Sequence, residues 1–188
     1  MEKIEVARRN LGVATKMFLR DEEPVAIQTL GATAAEVLDE LAKLSERKPF
    51  SSLLLELNPE ETVGSLKRAR NSLWNAMKHV KDQGQKMRED ADLLADFSDA
   101  ANDWILLTAW FDYAEITGSM PLEAQALQVW VIAKDSSDNL YNFSPMGFDR
   151  LASMDRRRQK EHLRKSIAKW KKRAKFVNDP RTEQRPLA

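Results

Sequence analysis

The sequence predicts an all-α protein, an antiparallel helical bundle followed by an additional, strongly basic C-terminal helix. Three observations carry that prediction. Leu, Ala, Glu, Lys, Arg and Met dominate over Val, Ile and Thr, which is the usage of helix formers. Apolar residues recur at spacings of three and four along most of the chain, the period of one helical face. Only six glycines interrupt 188 residues, and Pro24, Pro59 and Pro121 stand where helices begin. A chain of this length buries roughly two-thirds of the surface its unfolded form exposes, so it needs no covalent staples.

The first helix places Ile4, Ala7, Leu11, Ala14 and Phe18 on one side, with Arg8, Arg9, Lys16 and Arg20 elsewhere on the wheel. It ends at Asp21-Glu22-Glu23. Pro24 then suits the first turn of the next helix, where a missing N–H breaks no bond and the acids favour the positive dipole end. A tight antiparallel pair is expected. The second helix runs on Ile27, Leu30, Ala34, Val37, Leu38, Leu41 and Leu44. Its small-sided middle, Leu30 to Ala35, lets another helix approach closely, which makes it the expected centre of the bundle, although Gly31 costs roughly 1 kcal/mol relative to Ala.

Phe50 to Leu57 is a short apolar run that fits either a helical turn or an extended connector. Asn58-Pro59-Glu60-Glu61 predicts a helix start, with a capping Asn, Pro at the first position and acids in the first turn. The helix that follows should bury Val63, Leu66, Ala69, Leu73, Ala76, Met77 and Val80 and turn Arg70 and Lys81 away from the core. Residues 83–97 are expected as a loop, since Ser98-Asp99 is good N-cap chemistry and is preferred over a continuous helix from Arg88. The next helix carries Ile105, Leu106, Thr108, Ala109, Phe111 and Ala114 and stops at Gly118.

Met120-Pro121 opens a further helix with Leu127, Val129, Trp130 and Ala133 as its apolar side. Asp135 to Pro145 is the longest polar break. Beyond it Phe148, Leu151, Leu163, Ile167, Trp170 and Ala174 mark the basic helix, and residues 178–188 are expected to fray. The organisation is a helical bundle over 1–134, a linker over 135–147, and a basic C-terminal helix and tail over 148–188.

Charge is unevenly distributed. Between Arg156 and Lys175 there are eleven Lys or Arg and one acid, Glu161, so that segment carries +10 and, against a total of +1, the rest carries −9. The basic helix has two readings. It binds nucleic-acid phosphates through Arg156, Arg157, Arg158, Lys165, Lys169 and Lys172, with Lys78 as a further anion-binding residue. Alternatively its apolar face docks on the acidic body, or on a second copy or another protein partner. An anionic membrane surface is a third option, and docking is preferred. No run is long enough to span a bilayer, which takes about 18 apolar residues. No secretory signal opens the chain, and a cytoplasmic protein is expected.

Zero cysteines exclude disulfides, thiolate metal sites and a cysteine nucleophile. The sequence has no Gly-rich phosphate loop and no strand–turn–helix setting for a serine nucleophile. The two histidines are His79 and His162. Asn75, His79 and Asp82, at spacings of four and three, share one helical face and are the candidate catalytic constellation. The plainer reading is a helix C-terminus, where Lys78 and His79 favour the negative dipole pole. A metal site from His79 with Asp82 and either Asp92 or Asp96 is weaker than a solvated acidic loop, so no metal and no cofactor are expected. Trp104, Trp110, Trp130 and Phe111 could wall a small-molecule cleft, but aromatic residues at helical spacing are read mostly as core.

Three places carry a resemblance: Phe18 to Leu30, the segment Asn75-Ala76-Met77-Lys78-His79 with Asp82, and Leu106 to Tyr113 leading to Gly118 and Trp130. They make the chain resemble a group of uncharacterised bacterial helical proteins of HEPN-like fold, over residues 4–133. The resemblance implies a fold rather than an activity. Nucleolytic members use Arg, four to six residues, then His. Before His79 the required position falls on Ser72, Leu73 or Trp74, so the ribonuclease motif is broken there; Arg156 and Arg157 do stand at that spacing before His162. The function expected is a non-catalytic binding or regulatory module, with RNA association and a homodimer as extensions. The alternative is a HEPN-type ribonuclease working through His79 or His162.

Overall fold

The structure is a computed structural model that describes residues 1–82, 84–135, 143–146, 148 and 151–188. The described residues are overwhelmingly α-helical, as the composition predicts, and they divide into two compact units, Met1–Ile116 and Thr117–Ala188. The division falls at the C-terminal end of the helix that closes on Thr117. Most of the expected linker, residues 136–142 and 147, lies outside the described residues.

In the first unit α1 (Lys3–Leu19) and α2 (Pro24–Leu44) form an antiparallel pair. Asp21 turns the chain between them at φ 57°, and the Glu22 amide donates to the Met17 carbonyl at 3.1 Å. Asp is among the residues that tolerate this left-handed conformation. Glu23 caps α2 by accepting from the Val25 amide, and Pro24 occupies the first position. The predicted stripe Ala7, Leu11, Ala14 and Phe18 is buried. Arg8, placed outside that stripe by its charge, is buried too, its guanidinium 5.5 Å from the Trp110 ring centre.

Ile27, Ala34 and Leu38 of the predicted α2 stripe are fully buried, but the buried side extends past it onto smaller and polar residues. Gln28, Gly31, Ala35, Asp39 and Ala42 are buried, whereas Leu30, Val37 and Leu41 are half-buried and Leu44 is exposed. Small residues win because α6 (Ala101–Thr117) comes so near that a Cβ on Gly31 would lie 3.2 Å from Ile105 Cγ2.

Phe50–Leu57 is the helix α3, and Asn58 ends it: its side-chain amide donates to the Leu54 carbonyl at 2.9 Å. The helix predicted from Asn58-Pro59 therefore starts later, as α4 (Val63–Lys78). Thr62 and Ser65 form a reciprocal capping box, which satisfies amide donors that Asn58, engaged with α3, cannot reach. Within the expected loop 83–97 a short helix, α5 (Ala91–Ala95), forms. α6 begins at Ala101 after a turn at Ser98 and ends before Gly118, which takes φ 77°.

In the second unit α7 (Leu122–Asp135) packs on α8 (Arg156–Trp170). Asp155 caps α8 through the Arg158 amide, and Leu163, Ile167 and Trp170 are buried as predicted. Trp130 of α7 donates from Nε1 to the Gln159 carbonyl at 2.9 Å. The last residues do not fray as expected. After α9 (Ala174–Val177), β2 (Thr182–Glu183) pairs in parallel with β1 (Met120–Pro121). Gln125 Nε2 binds Thr182 Oγ1 at 2.9 Å, Phe176 stacks on Trp170 at 4.4 Å, and Leu187 is buried. These contacts offset the entropy of ordering a Pro-containing tail. No helix among the described residues is long and apolar enough to cross a membrane.

Candidate functional site

Within the first unit α2, α3, α4 and α6 border a solvent-open cavity of about 380 Å³, a size typical of small-molecule pockets. α3 and α4 contribute no fully buried residue, although both carry apolar faces. Those faces, Leu54, Leu66 and Leu73 among them, line the cavity. Ile105 and Trp104 of α6 complete the apolar wall, and Trp104 remains about half exposed.

The polar part of the site follows from α2. Gln28, Gly31, Ala35 and Asp39 recur at spacings of three and four and so occupy one face. Asp39 is fully buried. It accepts from Lys43 Nζ at 2.5 Å and from Ser51 Oγ at 2.6 Å, and Arg70 Nη1 lies 3.3 Å away. Burial pushes its carboxyl up, but the Lys43 and Ser51 hydrogen bonds and the Arg70 charge outweigh that and hold it below the usual carboxylate range. Lys67, on the cavity lining, is engaged by Glu40 at 2.7 Å.

Asp112 of α6 behaves oppositely. It is buried, and its Oδ1 accepts the Phe50 amide at 2.6 Å. Burial, reinforced by the negative charge of Asp39, pushes its carboxyl up to about 7 despite the Phe50 hydrogen bond and the Arg70 and Lys43 charges. Gln28 lines the same cavity, and its buried Oε1 has no hydrogen-bond partner among the described residues. The arrangement is suited to holding a molecule and exchanging a proton with it. It is poorly suited to nucleophilic catalysis, because the Ser51 hydroxyl donates to an ionised carboxylate and no histidine lines the cavity.

The sequence-predicted residues lie elsewhere. His79 is the exposed C-cap of α4, with extended backbone (ψ 122°), and its amide donates to the Asn75 carbonyl at 2.9 Å. The helix therefore ends before His79 and Asp82 can share a face with Asn75. Asp82 is exposed and accepts the Lys86 amide. Lys78 is exposed with Nζ 4.9 Å over the Trp74 ring, while Trp74 Nε1 donates to Glu36 at 3.3 Å. Among the described residues no group of three potential ligands is placed to hold a metal ion.

On α8, Arg157, Arg158, Lys165 and Lys169 are exposed, as is Lys172 just beyond it, whereas Arg156 lies over the Trp130 ring at 5.3 Å. Arg158, Lys165 and Lys169 fall on one outward stripe, opposite Leu163 and Ile167. His162 is half-buried, and helical positions five or six residues apart diverge by about 140° or 120°, so Arg156 and Arg157 do not share its face.

No protein-family model, curated protein or solved structure matches the chain.

Arg70 is the residue that sequence reasoning misplaced most: expected away from the core, its side chain is mostly covered and lines the cavity beside Asp39. A signal for it was present. Gln28 and Asp39 interrupt an otherwise small and apolar face of α2, and Asp112 stands between Phe111 and Tyr113, which marks buried polar positions needing partners. Trp110 and Trp130 are core, as read, while Trp104 belongs to the cavity wall.

Proposed function

We propose that this chain is a non-catalytic helical binding module that takes a small, largely apolar molecule in the cavity of its first unit. The observation that carries the reading is the unfilled apolar space between α2, α3, α4 and α6, bordered by a buried network of Asp39, Lys43, Ser51 and Arg70. Concave, mostly apolar clefts of this volume with a few convergent polar groups are the usual form of small-molecule sites. The test is fluorescence titration with N-phenyl-1-naphthylamine, an uncharged apolar probe. Saturable binding is expected, and Thr108→Trp, which places a large side chain at the lining, should abolish it while the melting transition stays cooperative. Binding that fails to saturate, or that Thr108→Trp leaves unchanged, would sink the reading.

RNA association is the second reading, favoured by the outward stripe Arg158, Lys165 and Lys169 on α8. Replacing all three with Gln should reduce the slope of log affinity against log salt by roughly 2 for single-stranded RNA. An unchanged slope would remove α8 from the interface. A second copy or another protein partner meeting α8 would use this charged side, since Leu163, Ile167 and Trp170 are buried. Kinship with HEPN-like helical proteins belongs to the same proposal and is supported by the antiparallel α1–α2 pair. Against the nuclease alternative, any RNA cleavage by the preparation should be unaffected by His79→Ala or His162→Ala.

A further inference from the structure

We propose that the occupant of the cavity is an apolar primary amine, its ammonium group held by the carboxylate of Asp112 and its hydrocarbon body lying along Leu54, Leu66, Leu73 and Ile105. The inference rests on the binding reading above and names the ligand class for the same site.

The argument is one of unmatched charge. Of the residues that line the cavity, three are charged: Lys67, Arg70 and Asp112. Both cations are already engaged, Lys67 with Glu40 at 2.7 Å and Arg70 with Asp39 at 3.3 Å. Lys43, the remaining cation facing this region, binds Asp39 at 2.5 Å. Asp112 has no such partner. It is buried, it receives a single backbone amide from Phe50, and among the described residues no ion pair reaches it. A buried carboxyl in this state is costly to ionise, and a cation delivered by a ligand removes that cost. The wall beyond it is aliphatic and aromatic, so the rest of the molecule must be apolar. Along α6 the lining runs from Ala101 to Asp112, eleven residue steps or about 16 Å of helix, which accommodates an extended chain. An anionic ligand would have to displace Asp39 or Glu40 from their cations and would meet Asp112 unpaired.

The groups facing Asp112 are Asp39 and Lys43 from α2, the Phe50 amide from α3 and Arg70 from α4. Asp39 stays ionised near neutral pH, its carboxyl being held low. Asp112 changes state at about 7, so amine binding should weaken as pH falls through that value and the counter-ion is protonated.

The experiment is calorimetric titration of the full chain with hexylamine, hexanol and hexanoate, which differ in the head group alone. Hexylamine should bind at least roughly tenfold more tightly than hexanol at pH 8, with hexanoate weakest, and the amine should lose roughly tenfold between pH 8 and pH 6. Asp112→Asn keeps an acceptor for the Phe50 amide and should bring hexylamine down to the level of hexanol without loss of hexanol binding. Hexanoate binding as tightly as hexylamine, or an amine preference that survives Asp112→Asn, overturns the proposal. Binding of N-phenyl-1-naphthylamine without any preference among the three heads overturns the ligand class and leaves the binding module standing. Failure of all four compounds overturns both.

Discussion

Asp39 and Asp112 are both buried acids of the first unit, yet their surroundings drive them in opposite directions, and each makes a separate prediction. For Asp112 the unfolded carboxyl ionises at about 3.8 and the folded one at about 7. Between those values the folded state holds a proton that the unfolded state has released, so stability falls as pH rises through this window. The gap corresponds to roughly 4 kcal/mol, fully expressed above the folded value. Asp112→Asn should therefore raise the melting temperature at pH 8 by about 5 °C or more and change it far less at pH 5, read by circular dichroism at the two pH values. For Asp39 the folded carboxyl is held low, so its contribution is present above the unfolded value and is lost in acid as pH falls through the folded one. Asp39→Ala leaves Lys43 and Arg70 without their buried partner and should cost roughly 3–5 kcal/mol in urea unfolding at pH 7. A loss under 1 kcal/mol would mean that the network is not a structural element. Neither residue is singled out from the sequence, although each interrupts an apolar stretch. Their different ionisation is not legible there either, because it depends on Lys43, Ser51, Arg70 and Phe50 arriving from three helices.

Individual helices follow local rules closely enough that their caps can be tested one at a time. Thr62 and Ser65 close the N-terminus of α4, and Thr62→Ala should cost about 1 kcal/mol, measured as a shift in urea midpoint at unchanged slope. The same substitution would be silent if α4 started at Asn58-Pro59, as its residue types suggest. On α2 the close approach at Gly31 sets a different limit. Gly31→Val would push against Ile105, where even a Cβ comes within 3.2 Å, and should lose about 1–3 kcal/mol despite the higher helix propensity of Val. The existence of most helices was legible from their apolar period, and the boundaries were less so. Asn58 reads equally well as the end of one helix or the start of the next, and only the position of α3 assigns it to the former. The expected stripe of α4 is only partly realised, Val63, Ala69 and Val80 being exposed while Leu66 and Leu73 line the cavity, because the period cannot say whether a neighbour packs on a face or a cavity opens beneath it.

At the scale of the whole molecule the dominant feature is the separation of charge between the two units. Residues 117–188 carry fifteen Lys and Arg against eight Asp and Glu, a net +7, which against the total of +1 leaves −6 on residues 1–116. The second unit nevertheless has its own apolar centre, in which Leu163 is fully buried. Leu163→Ala should destabilise it by about 2–5 kcal/mol. If that centre were unimportant, the thermal transition would not move. What the sequence by itself determined is the all-α class, the first helical pair, the burial of Trp110, Trp130, Leu163 and Trp170, and the placement of basic charge on α8. These follow from periodicity and composition, which are properties of neighbouring residues along one chain segment. What only the tertiary structure decided is that the chain divides after Ile116, that the last residues pair with Met120–Pro121, and that Gln28, Arg70 and Asp112 border one cavity. Such features arise where residues tens of positions apart converge, and no local pattern records which helix faces will meet and which will leave a space between them.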